Sequence, residues 1–259
     1  MIDNYYRAIV SLLNTIQEEE KEKMQIAAEK VASTIEKGGI VHFFGAGHSH
    51  ILCEDVFYRA GGLIPINLIF DANLMLDNGA MKSSELERTA GYAETFMDSA
   101  DIRPGEIVFV ISTSGRNGVT IDAALLAKAK GAEVVGITSL EYSKSQPSRH
   151  PSGKRLFEVC DICIDNHCPK GDPLLSTGGF ATPFVTGSTI AGAYILKAIL
   201  STTIKIMVDK GLDPPVFLSG NLEGEDEQNR RLLEKYKDRI IYLKMTEPII
   251  YPKISFQKR

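Results

Sequence analysis

The chain has 259 residues, 44% hydrophobic and 24% charged, with a formal net charge of -4. That length allows one large α/β domain or two small ones, with a core that needs no staples. The acidic balance argues against a general nucleic-acid surface and leaves room for a local basic pocket. No stretch approaches ~18 uninterrupted apolar residues and no leader is visible after Met1, so the expectation is a cytoplasmic protein with no membrane partner.

Residues 2 to 37 read as one helix, because Ile2, Tyr5, Ile9, Leu13 and Ile16 recur at three- and four-residue steps and the stripe resumes at Met24. The charge run EEEKEK at 18 to 23 reads as a solvated face of that helix. Lys37-Gly38-Gly39 stops it. IVHFF (40 to 44) is a first strand, and LIPINLIF (63 to 70) a second that Pro65 opens or puts at an edge. Ser84 and Glu87 form an S-x-x-E capping box that opens a helix running to about Met97. EIVFVIS (106 to 112) is the clearest strand, and a helix from Val119 to Lys130 stops at Gly131. AEVVGITS (132 to 139) and VCDICID (159 to 165) are the fourth and fifth strands, and a long helix covers Gly187 to Lys210. Cys160 and Cys163 form a C-x-x-C, but the alternation around them fits a strand with one buried face.

Buried apolar strands alternating with helices imply a parallel, Rossmann-like sheet covered on both faces. The chain reads as one domain over 1 to 259: a helical arm over 1 to 37, the sheet and its helices over 38 to 211, and an extension over 212 to 259.

Ligands of such sheets bind beyond the carboxyl ends of the strands, which directs attention to three loops. The first is Gly45-Ala46-Gly47-His48-Ser49-His50, where glycines bring backbone N–H groups toward an anion and Ser49 can cap the next helix and donate its hydroxyl. The second is Ser112-Thr113-Ser114-Gly115-Arg116-Asn117-Gly118, hydroxyl-rich, glycine-containing and placed before a helix, as a phosphate cradle requires. The third starts at Thr138-Ser139 and continues into EYSKSQPSRHPSGKR (141 to 155), which carries Lys144, Arg149, His150, Lys154 and Arg155. It either lies over the sheet edge and brings charge and an imidazole to the site, or is a solvated basic loop.

Two rivals exist for the first loop. A dinucleotide site wants a third glycine where His50 stands, and gives the second loop no part. A metal could use His48, His50, Glu54 and Asp55, but only His50 and Glu54 share a helix face, and zinc wants at least three ligands. The expectation is therefore no cofactor and no metal.

GAGHS before a helix, followed by VFVISTSGRNGVTIDAALLAKAKGAEVVGITS (108 to 139), resembles the SIS (sugar isomerase) domain family, and most closely its phosphosugar-binding proteins related to phosphoheptose isomerase and N-acetylmuramic acid 6-phosphate etherase. GHSH, FYRAGG, SRHPSGKR, IDN and PPVFLSGN extend the likeness over about residues 1 to 240. The resemblance implies a three-layer α-β-α sandwich around a five-stranded parallel sheet. It also implies a homodimer or homotetramer with sites near subunit interfaces. In such a site Ser112, Thr113 and Ser114 would bind a sugar phosphate, with Asn117 replacing a family hydroxyl, and Gly47, His48 and Ser49 would reach it from the first loop; Thr138 and Ser139 stand at the third.

Catalysis does not carry over so directly. Where those enzymes have their catalytic glutamates, this chain has Arg59 and Gly91. An aldose–ketose isomerase needs a base beside the carbonyl and donors for the enediolate. Glu54 as base, His150 as acid and His50 on the Glu54 face are the candidates, with Asn166, Asp172 and Ser188-Thr189 as added polar contacts. A non-catalytic sugar-phosphate sensor and an etherase-like lyase stay open beside the isomerase.

Overall fold

A computed structural model describes residues 1–219 and 226–244. Gly220 and Asn221 of PPVFLSGN, and 245–259 of the C-terminal extension, lie outside the described residues. Five strands, β1 (Val41–Gly45), β2 (Ile66–Ile69), β3 (Ile107–Ile111), β4 (Glu133–Thr138) and β5 (Ile162–Asp165), form one sheet in the order β2-β1-β3-β4-β5. All neighbours pair parallel, with Phe43 opposite Phe109 and Gly136 opposite Cys163. The strands are short apolar runs because both faces are covered. Phe43 and Phe109 stack at 4.7 Å on one face, while Phe44, Val108 and Val110 enter the core on the other.

One outer layer is built from α1 (Ile2–Glu19), α2 (Lys21–Glu36), α3 (Ser49–Val56) and α8 (Ser188–Asp209). The other contains α5 (Glu94–Met97) and α6 (Gly118–Ala129). By length and composition α8 would suit a membrane, but Ala191, Ile195, Ile199 and Met207 are buried in the shared core, and the helix is a core helix. The sequence is thus a three-layer α-β-α sandwich around a five-stranded parallel sheet, as the resemblance implied.

Two expectations need correction. Residues 2 to 37 are two helices, broken at Glu20. Glu20 is buried rather than part of a solvated face, since its carboxylate accepts from the Asp165 N–H and pairs with Lys23. The helix expected from Ser84 to Met97 begins earlier, as α4 (Ala80–Arg88), and ends before α5. The Ser83 hydroxyl donates to the Leu74 carbonyl, which holds this turn inward, and so Ser84 is inside the helix and caps nothing. Chain elements missed in the sequence are the short α7 (Leu140–Lys144) and an antiparallel hairpin, β6 (Pro173–Thr177) with β7 (Phe180–Thr186).

The C-terminal part closes the foot of the sheet. Ile64 donates its N–H to Pro215, Phe217 donates its own to Gly62, and Tyr236, Ile240 and Leu243 pack with Ile40 and Ile64. The helix carrying Tyr236, α9 (Asp226–Tyr236), leads to Arg239, whose guanidinium reaches Glu106 and Asp101.

Candidate functional site

In this strand order the chain reverses direction between β1 and β3, where open parallel sheets leave a crevice. A cavity of about 580 Å³ lies there. Its first wall is the turn after β1, with Gly47, exposed His48 and Ser49. Its second is the loop after β3, with Ser112, Thr113, Ser114 and Asn117. Asn166, Asp172, Ser188 and Thr189 close a third side.

The second loop is held in shape from below. The Ser112 hydroxyl accepts from the Gly115 N–H at 3.2 Å, and Asn166 donates to the Thr113 hydroxyl at 3.3 Å. Thr138 donates to the Thr113 carbonyl, and Ser139 donates to the Cys168 carbonyl and caps α7. Thr138 and Ser139 therefore support the site without lining it. Gly115 has φ +58, and a Cβ there would lie 2.5 Å from the Thr138 hydroxyl, so this turn demands glycine.

The 145–155 segment crosses the second loop. Arg149 donates its N–H to the Arg116 carbonyl, and Leu156 donates to Gly115, both at 2.8 Å. The segment delivers Arg149 to the cavity, where its guanidinium donates to Asn117 at 2.9 Å. Partial burial, then the charges of Arg116 and Arg88, lower the Arg149 pKa, against the pull of Tyr142 and Glu87. The imidazole turns elsewhere: His150 meets Asp122 of α6 at 2.9 Å and Ser152 at 2.7 Å.

Glu54 and His50 also stand away from the cavity. His50 is buried, packs 5.2 Å from the Phe70 ring and lies 3.2 Å from the exposed Glu54 carboxylate. Burial lowers its pKa against the opposing effects of Glu54 and Asp77. In this chain the three acid–base candidates are thus split between two places outside the cavity: buried His50 with exposed Glu54 on α3, and His150 at Asp122 of α6.

One of the two carboxylates that line the cavity is Glu87, accepting from the Asn117 amide at 2.9 Å. The S-x-x-E pattern disguised it as a capping residue. Beside it stands Arg88, and across the seam Arg116. Asp172, the other acid, accepts from the Gly187 and Ser188 N–H groups and the Ser188 hydroxyl at the start of α8. The site can therefore offer hydroxyls, backbone N–H groups, guanidinium groups and two carboxylates to a polar ligand.

Known proteins bear directly on this geometry. A family model described as SIS domain matches residues 4–139. A UPF0309 protein of Geobacillus thermodenitrificans is 53% identical over 240 residues, covering 93% of this chain and 96% of the relative. One from Listeria monocytogenes is 52% identical over 245 residues, covering 95% and 99%. The fold is similar to a phosphoheptose isomerase from Francisella tularensis, at a TM-score of 0.53 and 16% identity over 79% of this chain and 96% of that one. It is also similar to Vibrio vulnificus NanR complexed with ManNAc-6P, at 0.50 and 14% over 92% and 69%. With the domain match spanning half the sequence and relatives at this identity along nearly all of it, the chain belongs to the SIS domain family, among its UPF0309 proteins.

Proposed function

We propose that this protein, acting as a single SIS domain, binds a phosphorylated sugar in the cavity and isomerises it by aldose–ketose proton transfer. The observation that carries the reading is the convergence of two hydroxyl loops, after β1 and β3, on one crevice. Ser112, Thr113, Ser114 and the N-terminus of α6 suit a phosphate, which hydroxyls and helix N–H groups hold without burying a counter-charge. Ser49, Gly47 and His48 meet the sugar from the other wall. The phosphosugars named with the isomerase and the NanR complex support this ligand class.

In this reading Glu87 takes the proton beside the carbonyl and returns it to the neighbouring carbon, while hydroxyl donors hold the enediolate and relay the proton from the sugar hydroxyl to the former carbonyl oxygen. Glu54, His50 and His150 are left out of the step because none of them lines the cavity. No cofactor, nucleic acid or membrane takes part. The assembly is a homodimer or homotetramer with sites near its interfaces; exposed Ile2 and Tyr6 on α1 and Phe180 and Val185 on the hairpin supply apolar surface for it. Light scattering on the eluting protein gives the number of subunits.

A second reading, a sugar-phosphate sensor, draws on one observation: both cavity acids already serve hydrogen bonds, Glu87 to Asn117 and Asp172 to Ser188. Calorimetry with sugar phosphates and the corresponding free sugars tests the binding claim. Phosphates should bind and free sugars should not; equal affinity overturns it. NMR of a bound sugar phosphate then separates the readings. Turnover that falls at least about a hundredfold in Glu87→Gln supports the isomerase, while tight binding without turnover supports the sensor.

A further inference from the structure

The cavity carries more positive charge than its hydroxyl loops require. Arg88, Arg116 and Arg149 all line it, and none holds an ion pair among the described residues. Elsewhere Arg59, Arg103, Arg155, Arg231 and Arg239 each hold a carboxylate. The three guanidinium groups come from different elements, the last turn of α4, the entrance to α6 and the 145–155 segment, and the hydrogen bonds of Arg116 and Arg149 go to neutral oxygens of Pro147, Gln146 and Asn117. Packing forces them together. A Cβ on Gly118 would lie 2.7 Å from the Ala90 N and 3.0 Å from the Arg88 carbonyl, so α4 and α6 meet backbone to backbone.

Like charges brought together cost free energy unless an anion joins them. Glu87 offsets part of this charge through space, but no guanidinium pairs with it: its hydrogen bond comes from Asn117, whose amide oxygen is taken by Arg149. A phosphate on the Ser112–Ser114 loop needs neither Arg88 nor Arg149, which line the same cavity from other elements, close enough for the Arg88 charge to act on Arg149. A cavity of about 580 Å³ has room for a ligand with two anchors.

We infer that the ligand is a sugar phosphate bearing a second anionic group, a carboxylate or another phosphate, held by Arg88 and Arg149 with Arg116 beside them. The inference rests on the phosphosugar reading above. Guanidinium forks match both kinds of anion in two-point hydrogen bonds, which an ammonium or a hydroxyl cannot do. The site thereby selects against sugars whose only charge is one phosphomonoester.

Calorimetry with four probes tests it: inorganic phosphate, glucose 6-phosphate, glucose 1,6-bisphosphate and 6-phosphogluconate. At least one of the last two should bind about tenfold tighter than glucose 6-phosphate. Preference for the bisphosphate names a phosphate as second anion, and preference for phosphogluconate names a carboxylate. Arg88→Gln and Arg149→Gln should shrink the preference to within about twofold and leave inorganic phosphate binding at its original affinity. Equal affinity for the three sugars overturns the inference. So does an equal loss for glucose 6-phosphate and the doubly anionic sugars in the variants, which would put the arginines on the single phosphate. Inorganic phosphate binding that Ser114→Ala abolishes would keep the phosphosugar reading alive in either case, whereas no binding of any probe removes both. Thermal melts of each variant establish that it is folded.

Discussion

Glu106, at the foot of β3, is a buried carboxylate with unusually complete support. It accepts from His42 at 3.0 Å, from Arg239, and from the N–H groups of Ile40 and Arg103. Burial alone would raise its pKa; the hydrogen bonds from His42, Arg239 and the two N–H groups outweigh it and hold it at about 2. A folded pKa below the ordinary 4.5 means the unfolded chain takes the proton first. The contribution is full above that value and is lost as pH falls toward 2, on the order of 3 kcal/mol across the window. Denaturant titrations at pH 7, 4 and 3 should show wild-type stability falling more steeply than that of Glu106→Gln. A parallel fall would remove Glu106 as the source. At the site, Gly115→Ala should weaken phosphate binding at least about tenfold and destabilise the fold by about 1–3 kcal/mol, because the new methyl meets the Thr138 hydroxyl. An unchanged affinity in calorimetry would count against the loop as phosphate cradle. Residue identity made Ser49, Ser112, Thr113 and Ser114 legible in the sequence, since hydroxyls in glycine turns after strands have a direct meaning. Glu87 and Arg88 were not, because their role depends on how far α4 reaches and what it meets.

At the scale of elements, the five strands stood out because each is a short apolar run closed by a turn, and a parallel sheet needs just that. Helices α6 and α8 were equally plain. The breaks were harder. The hydrophobic stripe ends at Ile16 and resumes in phase at Met24, which reads as one helix; the break comes at Glu20, whose buried carboxylate accepts from the distant Asp165 N–H. The hairpin was hidden for the opposite reason: most of its residues are exposed, so no alternation of buried and polar positions marks it. The α4–α6 seam is testable as an element contact. Gly118→Ala should cost about 1–3 kcal/mol by forcing the helices apart. It should also lower affinity for a doubly anionic sugar more than for inorganic phosphate, since Arg88 moves with α4. Chemical denaturation and calorimetry on the same sample would read both, and a change in neither would show that the seam yields freely.

For the whole molecule, one end of the sheet holds the cavity and the other is sealed by the C-terminal part of the chain. Arg239 is the polar fastening of that seal, through Glu106 and Asp101, and Tyr236 and Ile240 are its apolar partners. Arg239→Met leaves the Glu106 charge buried with fewer donors, so it should lower stability by about 3–5 kcal/mol while leaving ligand affinity within about twofold. Thermal melts with and without a sugar phosphate would separate the two effects; a variant as stable as wild type would mean that the seal rests on its apolar contacts. The parallel sheet covered on both faces was readable from pattern because apolar strands alternate with helices along the chain. The seal was not, since it depends on contacts spanning more than a hundred residues.

The buried Glu20 has a further consequence, for synthesis of the chain. Helices α1 and α2 leave the ribosome with an apolar stripe through Leu12, Ile16, Met24 and Val31, yet much of the surface that covers it lies in β5 and α8. Glu20 finds its backbone partner 145 residues downstream. Until that length has emerged α1 and α2 lack α8, the helix they pack against most, so they wait as a sticky amphipathic segment, the kind of surface that chaperones hold. These two helices are therefore made well before the surfaces that let them settle.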